Sequence, residues 1–174
     1  MNLYVVRHAV AHKRDANRWP DDAKRPLTPE GEEQFQGAAG GILRLVPEVR
    51  FVLSSHFVRA WRTAEILEQK GWPAPIPCAE LEPDHPPSKV LEALEHCAAV
   101  KNVAIVGHRP QLHELVSCLL VGDPKGVRLQ IKKGGMVRLS FEGLPRPEAG
   151  YLEWLLTPRA LQAIGKVPAL DREG

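Results

Sequence analysis

Three short apolar runs in this chain each end in groups able to hold an anion. Leu3-Tyr4-Val5-Val6 stops at Arg7 and His8, Phe51-Val52-Leu53 leads through Ser54 and Ser55 to Arg59, and Val103-Ala104-Ile105-Val106 opens into Gly107 and His108. Guanidinium groups bind oxyanions through forked, charge-assisted hydrogen bonds, and a neutral imidazole is a good nucleophile near neutral pH. In open α/β sheets, ligands bind in the crevice beyond the carboxyl ends of the strands, so two arginines and two histidines are set to converge on one anion there. Taken singly, each residue has a plainer role. An Arg at a strand end often covers apolar surface or pairs with a carboxylate, and a lone His is more often structural than catalytic. Their joint recurrence argues against independent structural roles.

The elements that must position these groups follow from apolar spacing. Thr28 and Pro29 read as N-cap and first helical residue, and Phe35, Ala38, Ala39, Ile42, Leu43 and Val46 then repeat at helical spacing until Pro47. Gly37, Gly40 and Gly41 weaken that helix and imply close packing, expected here against the sheet. A second helix spans about Val58 to Lys70, with Gly71 as its stop. Trp72 to Pro87 is proline-rich and reads as a long loop. Ser88 is expected to cap a third helix with Val90, Leu91, Leu94 and Ala98 inward, and Gln111 to about Leu120 forms a fourth. The order strand, loop, helix, repeated, requires a mainly parallel sheet covered on both faces. Beyond Gly122, Val127 to Ile131, Met136 to Phe141 and Tyr151 to Leu156 read as added antiparallel strands. Thr157-Pro158 starts a short last helix before a polar tail. The expected fold is therefore α/β and three-layered, in a single domain spanning residues 1–174.

Composition narrows the function. The 174 residues carry 23 basic and 21 acidic side chains, scattered, for a net charge of +2. That excludes a basic block tracking a nucleic-acid backbone. No apolar stretch reaches membrane-spanning length and no signal-peptide pattern opens the chain, so a cytoplasmic protein with no membrane partner is expected. Cys78, Cys97 and Cys118 are odd in number and far apart, which argues against disulfides and zinc sites; Cys97 and Cys118 are expected to pack in helices. His8 and His12 have the spacing of zinc ligands on a helix, but this stretch leaves a strand and lacks acidic or cysteine partners. No metal or other cofactor is expected.

Four strings in order, Val6-Arg7-His8-Ala9, Leu27-Thr28-Pro29-Glu30-Gly31, Ser54 through Ala64, and Val106-Gly107-His108-Arg109-Pro110, resemble the histidine phosphatase superfamily. Arg25-Pro26-Leu27-Thr28, Lys132-Lys133-Gly134-Gly135-Met136 and Trp154 through Pro158 resemble its small bacterial phosphohistidine phosphatase branch. The resemblance implies a phosphoglycerate mutase-like fold, with His8 as a nucleophile that forms a phosphohistidine intermediate. Arg7, Arg59 and His108, the last as a protonated donor, would then bind the phosphoryl oxygens, with Arg25 lining the pocket. Without the resemblance, Arg25 is a loop Arg paired with Asp21 or Asp22. The implied partner is a protein carrying phosphohistidine; the alternatives are a small phosphate ester and, without turnover, a phosphate-binding module.

Two features depart from the family pattern. Ala9 stands where most of the superfamily has glycine. Pro83 stands where many phosphomonoesterases and mutases of the family place a glutamate that protonates the leaving alkoxide. Glu82 and Asp84 flank it, and Asp22 lies three residues before Arg25, so these three carboxylates are the candidate proton donors. An imidazole leaves phosphorus far more readily than an alkoxide, so the missing acid favours phosphohistidine as substrate.

Overall fold

A computed structural model describes residues 1–168, and the polar tail expected at the end falls on 169–174, outside that range. The strands are β1 (Asn2–Arg7), β2 (Phe51–Ser54), β3 (Pro75–Pro77), β4 (Asn102–Gly107), β5 (Met136–Ser140) and β6 (Tyr151–Leu156). The helices are α1 (Pro29–Leu45), α2 (Val58–Lys70), α3 (Pro87–Glu95), α4 (Gln111–Val121) and α5 (Pro158–Lys166). One six-stranded sheet runs in the order β3-β2-β4-β1-β5-β6. The first four strands by sequence are parallel, and β5 and β6 are added antiparallel. The fold is α/β and three-layered.

The alternation of β1 and β4 divides the core. Tyr4, Val6, Ala104 and Val106 pack with residues of α1, α2 and α5, whereas Leu3, Val5, Val103 and Ile105 pack with residues of α3 and α4. Both faces of these strands are buried, which is why they read as continuous apolar runs. Strand order decides which ends meet: β2, β4 and β1 are neighbours, and Arg7 pairs in register with Gly107 and Ser54 with Val106. Three chemically equipped carboxyl ends therefore lie side by side. No helix among the described residues is long and apolar enough to cross a membrane.

Several local expectations are corrected. Val127 to Ile131 is not a strand; its polar backbone is satisfied elsewhere, Val127 N–H donating to Ser117 Oγ and Ile131 O accepting from Arg7 Nη1. The proline-rich loop contains β3, tolerated because an edge strand needs few backbone donors. Ser88 is not the cap of α3, which starts at Pro87 with no side-chain cap. Ala98 and Cys97 lie beyond its end, so Ala98 is not an inward helical residue and Cys97 packs from a turn.

The α1 glycines pack against α5 rather than the sheet. A Cβ on Gly41 would stand 1.8 Å from Leu161 O, and one on Gly165 2.9 Å from Gly41 N, whereas one on Gly40 would meet nothing within 4 Å. Two backbones touch there because neither helix has a side chain between them. Gly41→Ala should therefore destabilise the protein by about 2 kcal/mol or more through overpacking. Gly40→Ala should add up to about 1 kcal/mol from helix propensity. Urea unfolding of the two variants checks the contrast.

Candidate active site

The backbone at the end of β1 is held from three sides. His8 N–H donates to Gly107 O at 3.1 Å, Ala9 N–H to Thr63 Oγ1 at 3.0 Å, and Gly134 N–H lies 3.0 and 3.1 Å from Arg7 O and His8 O. Gly134 adopts φ +75°, a left-handed conformation suited to glycine, and so lets the turn fold back over β1. Thr63 Oγ1 donates to Arg59 O at 2.7 Å, tying the first turn of α2 to the same point. These contacts bring Arg7, His8, Arg59 and His108 together. All four are buried, and the rings of His8 and His108 are 5.1 Å apart.

Each buried group has one side fixed by protein. His8 Nδ1 is 2.7 Å from Ala9 O, which can only accept, so Nδ1 carries the proton and Nε2 keeps its lone pair. Arg7 Nη1 donates to Ile131 O at 2.8 Å; Arg59 donates to Asp22 O at 2.8 Å and pairs with its carboxylate at 3.1 Å. The Arg59 guanidinium also sits 4.9 Å over the Phe57 ring. His108 Nε2 is 2.9 Å from Ser55 Oγ, which already accepts from Phe57 N–H. Ser55 Oγ has a proton to give and a second lone pair to accept with, so this contact positions the ring without fixing its tautomer. Among the described residues, Arg7 Nε, Arg59 Nε and His108 Nδ1 have no partner. Gln111 Oε1 and Arg138 Nε, outside the cavity lining, are likewise unpaired; a buried polar group without a partner is costly, and three of these five lie on residues that line the cavity.

Burial chiefly, and then the neighbouring cations, push His8 down to about 3. Burial, followed by His8 and the arginines, also pushes His108 well below an ordinary histidine. Burial among cations thus favours the neutral form of both rings in the free protein, so His108 is not an imidazolium there. That differs from the protonated donor expected above. Burial likewise lowers both Arg7 and Arg59 to about 10, which leaves them charged.

The four residues line a cavity of about 500 Å³ with Arg14, Asp22, Arg25, Phe57, Pro83, Asp84, Arg109 and Lys133. Arg25 lines the cavity while its Nε donates to Asp22 Oδ1 at 2.8 Å. Asp22 is held ionised, foremost by that hydrogen bond, and so is a poor proton donor. Glu82 is not among the lining residues, and its Oε1 is 2.9 Å from His56 Nδ1. Asp84 is at the mouth, exposed, with φ +76°. The sequence reading did not assign Arg14, Arg109 or Lys133 to the cavity. The signal for Lys133 was the Gly134-Gly135 pair beside it, which marks a tight turn.

A family model described as the histidine phosphatase superfamily (branch 1) matches residues 3–82. An uncharacterized protein of a Picosynechococcus species is 32% identical over 142 residues, spanning 80% of this chain and 84% of that one. The chain belongs to the histidine phosphatase superfamily. Among solved structures, the protein histidine phosphatase SixA complexed with tungstate is similar with a TM-score of 0.78 at 24% identity, over 92% of this chain and 99% of that one. The alpha-ribazole phosphatase from Shigella flexneri is similar with a TM-score of 0.62 at 19% identity, over 91% and 97%. At these identities the likeness is one of fold. Members of the superfamily are phosphatases and mutases.

The neutral histidines of this superfamily member make its stability depend on pH. A buried His with a lowered folded pKa contributes nothing adverse above its unfolded value of 6.5, and stability is lost as the pH falls from there toward about 3, because only the unfolded chain takes up the proton. Each such His should withdraw about 1–2 kcal/mol near pH 5.5. Thermal unfolding should show that loss, with His113, also lowered by burial, adding to it. Saturating inorganic phosphate should flatten the slope by favouring protonated His8 and His108, and His108→Gln should flatten it without phosphate.

Proposed function

We propose that the protein is a metal-independent phosphatase that uses His8 as a covalent nucleophile and removes the phosphoryl group from phosphohistidine in a protein partner. The observation that carries this reading is the fixed tautomer of His8, whose Nε2 keeps its lone pair in a cavity that Arg7, Arg59 and His108 also line. Phosphoryl transfer asks little of a protein beyond in-line placement and stabilisation of the equatorial oxygens. Nε2 forms a bond to phosphorus as the substrate P–N bond breaks, and the leaving imidazole takes its proton from solvent. Water then attacks phosphorus, the P–Nε2 bond breaks, and inorganic phosphate departs. Two easier displacements replace one difficult one. Once a phosphoryl dianion is bound, its charge favours protonation of His108, which then donates more strongly.

The carboxylates support phosphohistidine over an alkyl ester. Asp22 is ionised and clamped by two arginines, and Glu82 is engaged with His56. The position of Asp84 at the cavity mouth favours the second reading, a small phosphate ester with Asp84 as general acid. The structural likeness to SixA supports the first and that to an alpha-ribazole phosphatase the second.

A labelled phosphodonor should give an acid-labile, base-stable phosphoprotein that His8→Ala no longer forms and that chelators do not affect. Its absence from the native protein would leave only a phosphate-binding module. Arg7→Ala and Arg59→Ala should each cost about 2–4 kcal/mol of transition-state stabilisation, as for other preorganised anion donors. In a panel of substrates, phosphohistidine should turn over best, and Asp84→Asn should leave that rate nearly unchanged. An alkyl phosphate preferred over phosphohistidine, with a loss of about 100-fold in Asp84→Asn, would establish the ester reading instead.

A further inference from the structure

The cavity holds more positive charge than one phosphoryl group uses. Arg7 and Arg59 balance a phosphoryl dianion, and Arg25 is already neutralised by Asp22. Arg14, Arg109 and Lys133 remain, all exposed at the mouth, and none forms an ion pair with a carboxylate among the described residues. Asp84 is the one carboxylate lining the cavity outside the Asp22 cluster. Six cations against two carboxylates leave this cavity four charges positive on a chain whose net charge is only +2. The repulsion is felt locally: burial and then Arg7, Arg25, Arg109 and Arg59 hold the pKa of Lys133 below that of an ordinary lysine.

We propose that Arg14, Arg109 and Lys133 form a second anion-binding rim that selects phosphohistidine flanked by Asp or Glu on the surface of the partner protein. The inference rests on the phosphatase reading above and specifies its substrate. A second anionic group is the ligand chemistry that relieves like-charge crowding, and the lining offers little apolar wall beyond Phe57 and Pro83 to hold a neutral one. The exposure of the three cations favours a macromolecule. Side chains at the mouth face what stands outside the cavity, which for a phosphorylated protein is the surface around its phosphohistidine. A clustered field of one sign also speeds encounter with an oppositely charged partner.

The test uses the full-length protein and two chemically phosphorylated phosphohistidine peptides of equal length, one flanked by Asp and Glu and one by Gln. At low ionic strength, kcat/KM for the acidic peptide should exceed that for the Gln peptide by about tenfold or more, chiefly through KM. The ratio should approach one at about 1 M salt, where the screening length is about 3 Å. Arg109→Glu combined with Lys133→Glu should bring the ratio below one, an inversion that partial unfolding does not produce.

Equal kcat/KM for the two peptides at low salt, with the His8 phosphoenzyme formed from each, overturns the acidic rim and leaves the phosphatase reading standing. Failure of both peptides to phosphorylate His8 overturns that reading and the rim proposal with it. A small bisphosphate turned over with higher kcat/KM than the acidic peptide assigns the second anion to a small molecule and overturns the protein partner.

Discussion

Two guanidinium groups lie buried beside two neutral imidazoles, with carbonyl oxygens and the single carboxylate of Asp22 as their protein partners. Removing a cation from water costs several kcal/mol, and here the return within the protein is incomplete, since Arg7 and Arg59 each keep an Nε proton without an acceptor. A closer counterion would make the free protein more stable and would compete with any oxyanion for the same protons. The cavity therefore holds its cations under-neutralised, and relief comes from a ligand. Both imidazoles follow from the same choice, because burial next to these cations disfavours their protonated forms and keeps Nε2 of His8 a free base.

Holding like charges together requires a scaffold that does not yield. β1 sits inside the sheet between β4 and β5, with apolar side chains packed on both faces, so its carboxyl end cannot retreat from β4. The Lys132–Gly135 turn, folded over Arg7 and His8 through Gly134, caps that end while adding Lys133 to the cavity. Ile131, expected in a strand, instead gives its carbonyl to Arg7. Its backbone oxygen is of more use to a buried cation than to a sheet edge. Likewise the contact of α1 with α5 at Gly41 seats the last helix on the layer beside α2, from which Arg59 projects.

Much of this arrangement was legible because the information is local. A strand that is apolar on both faces and ends in Arg-His or Gly-His announces both its burial and its polar end, and parallel order follows from the helices between strands. Cap residues were equally readable at Thr28 and Thr157, where a hydroxyl accepts from the amide three residues on. The misreadings have a common physical origin in partners distant in sequence. Nothing near Gly41 announces Leu161, nothing near Val127 announces the Ser117 hydroxyl, and the three residues of β3 form a strand only because β2 is beside them. Arg14, Arg109 and Lys133 belong to three separate loops. Their common cavity exists only in three dimensions.

The same electrostatics bear on the choice of leaving group. A general acid must hold its proton near neutral pH, and for a carboxylate that requires an environment hostile to negative charge. This cavity is the reverse. Asp22 shows the outcome, since hydrogen bonds and proximity to Arg25 and Arg59 keep it ionised. A carboxylate drawn fully among these cations would meet the same field, so a phosphoryl-binding site this positive works against an acid built from Asp or Glu within it. An alkoxide leaving group needs such an acid. An imidazole bonded to phosphorus does not, because its other ring nitrogen can take a proton from solvent and the ring then leaves neutral. On the proposed function, the same charge that would bind the phosphoryl group favours phosphohistidine chemistry by making its competitor's proton donor hard to maintain.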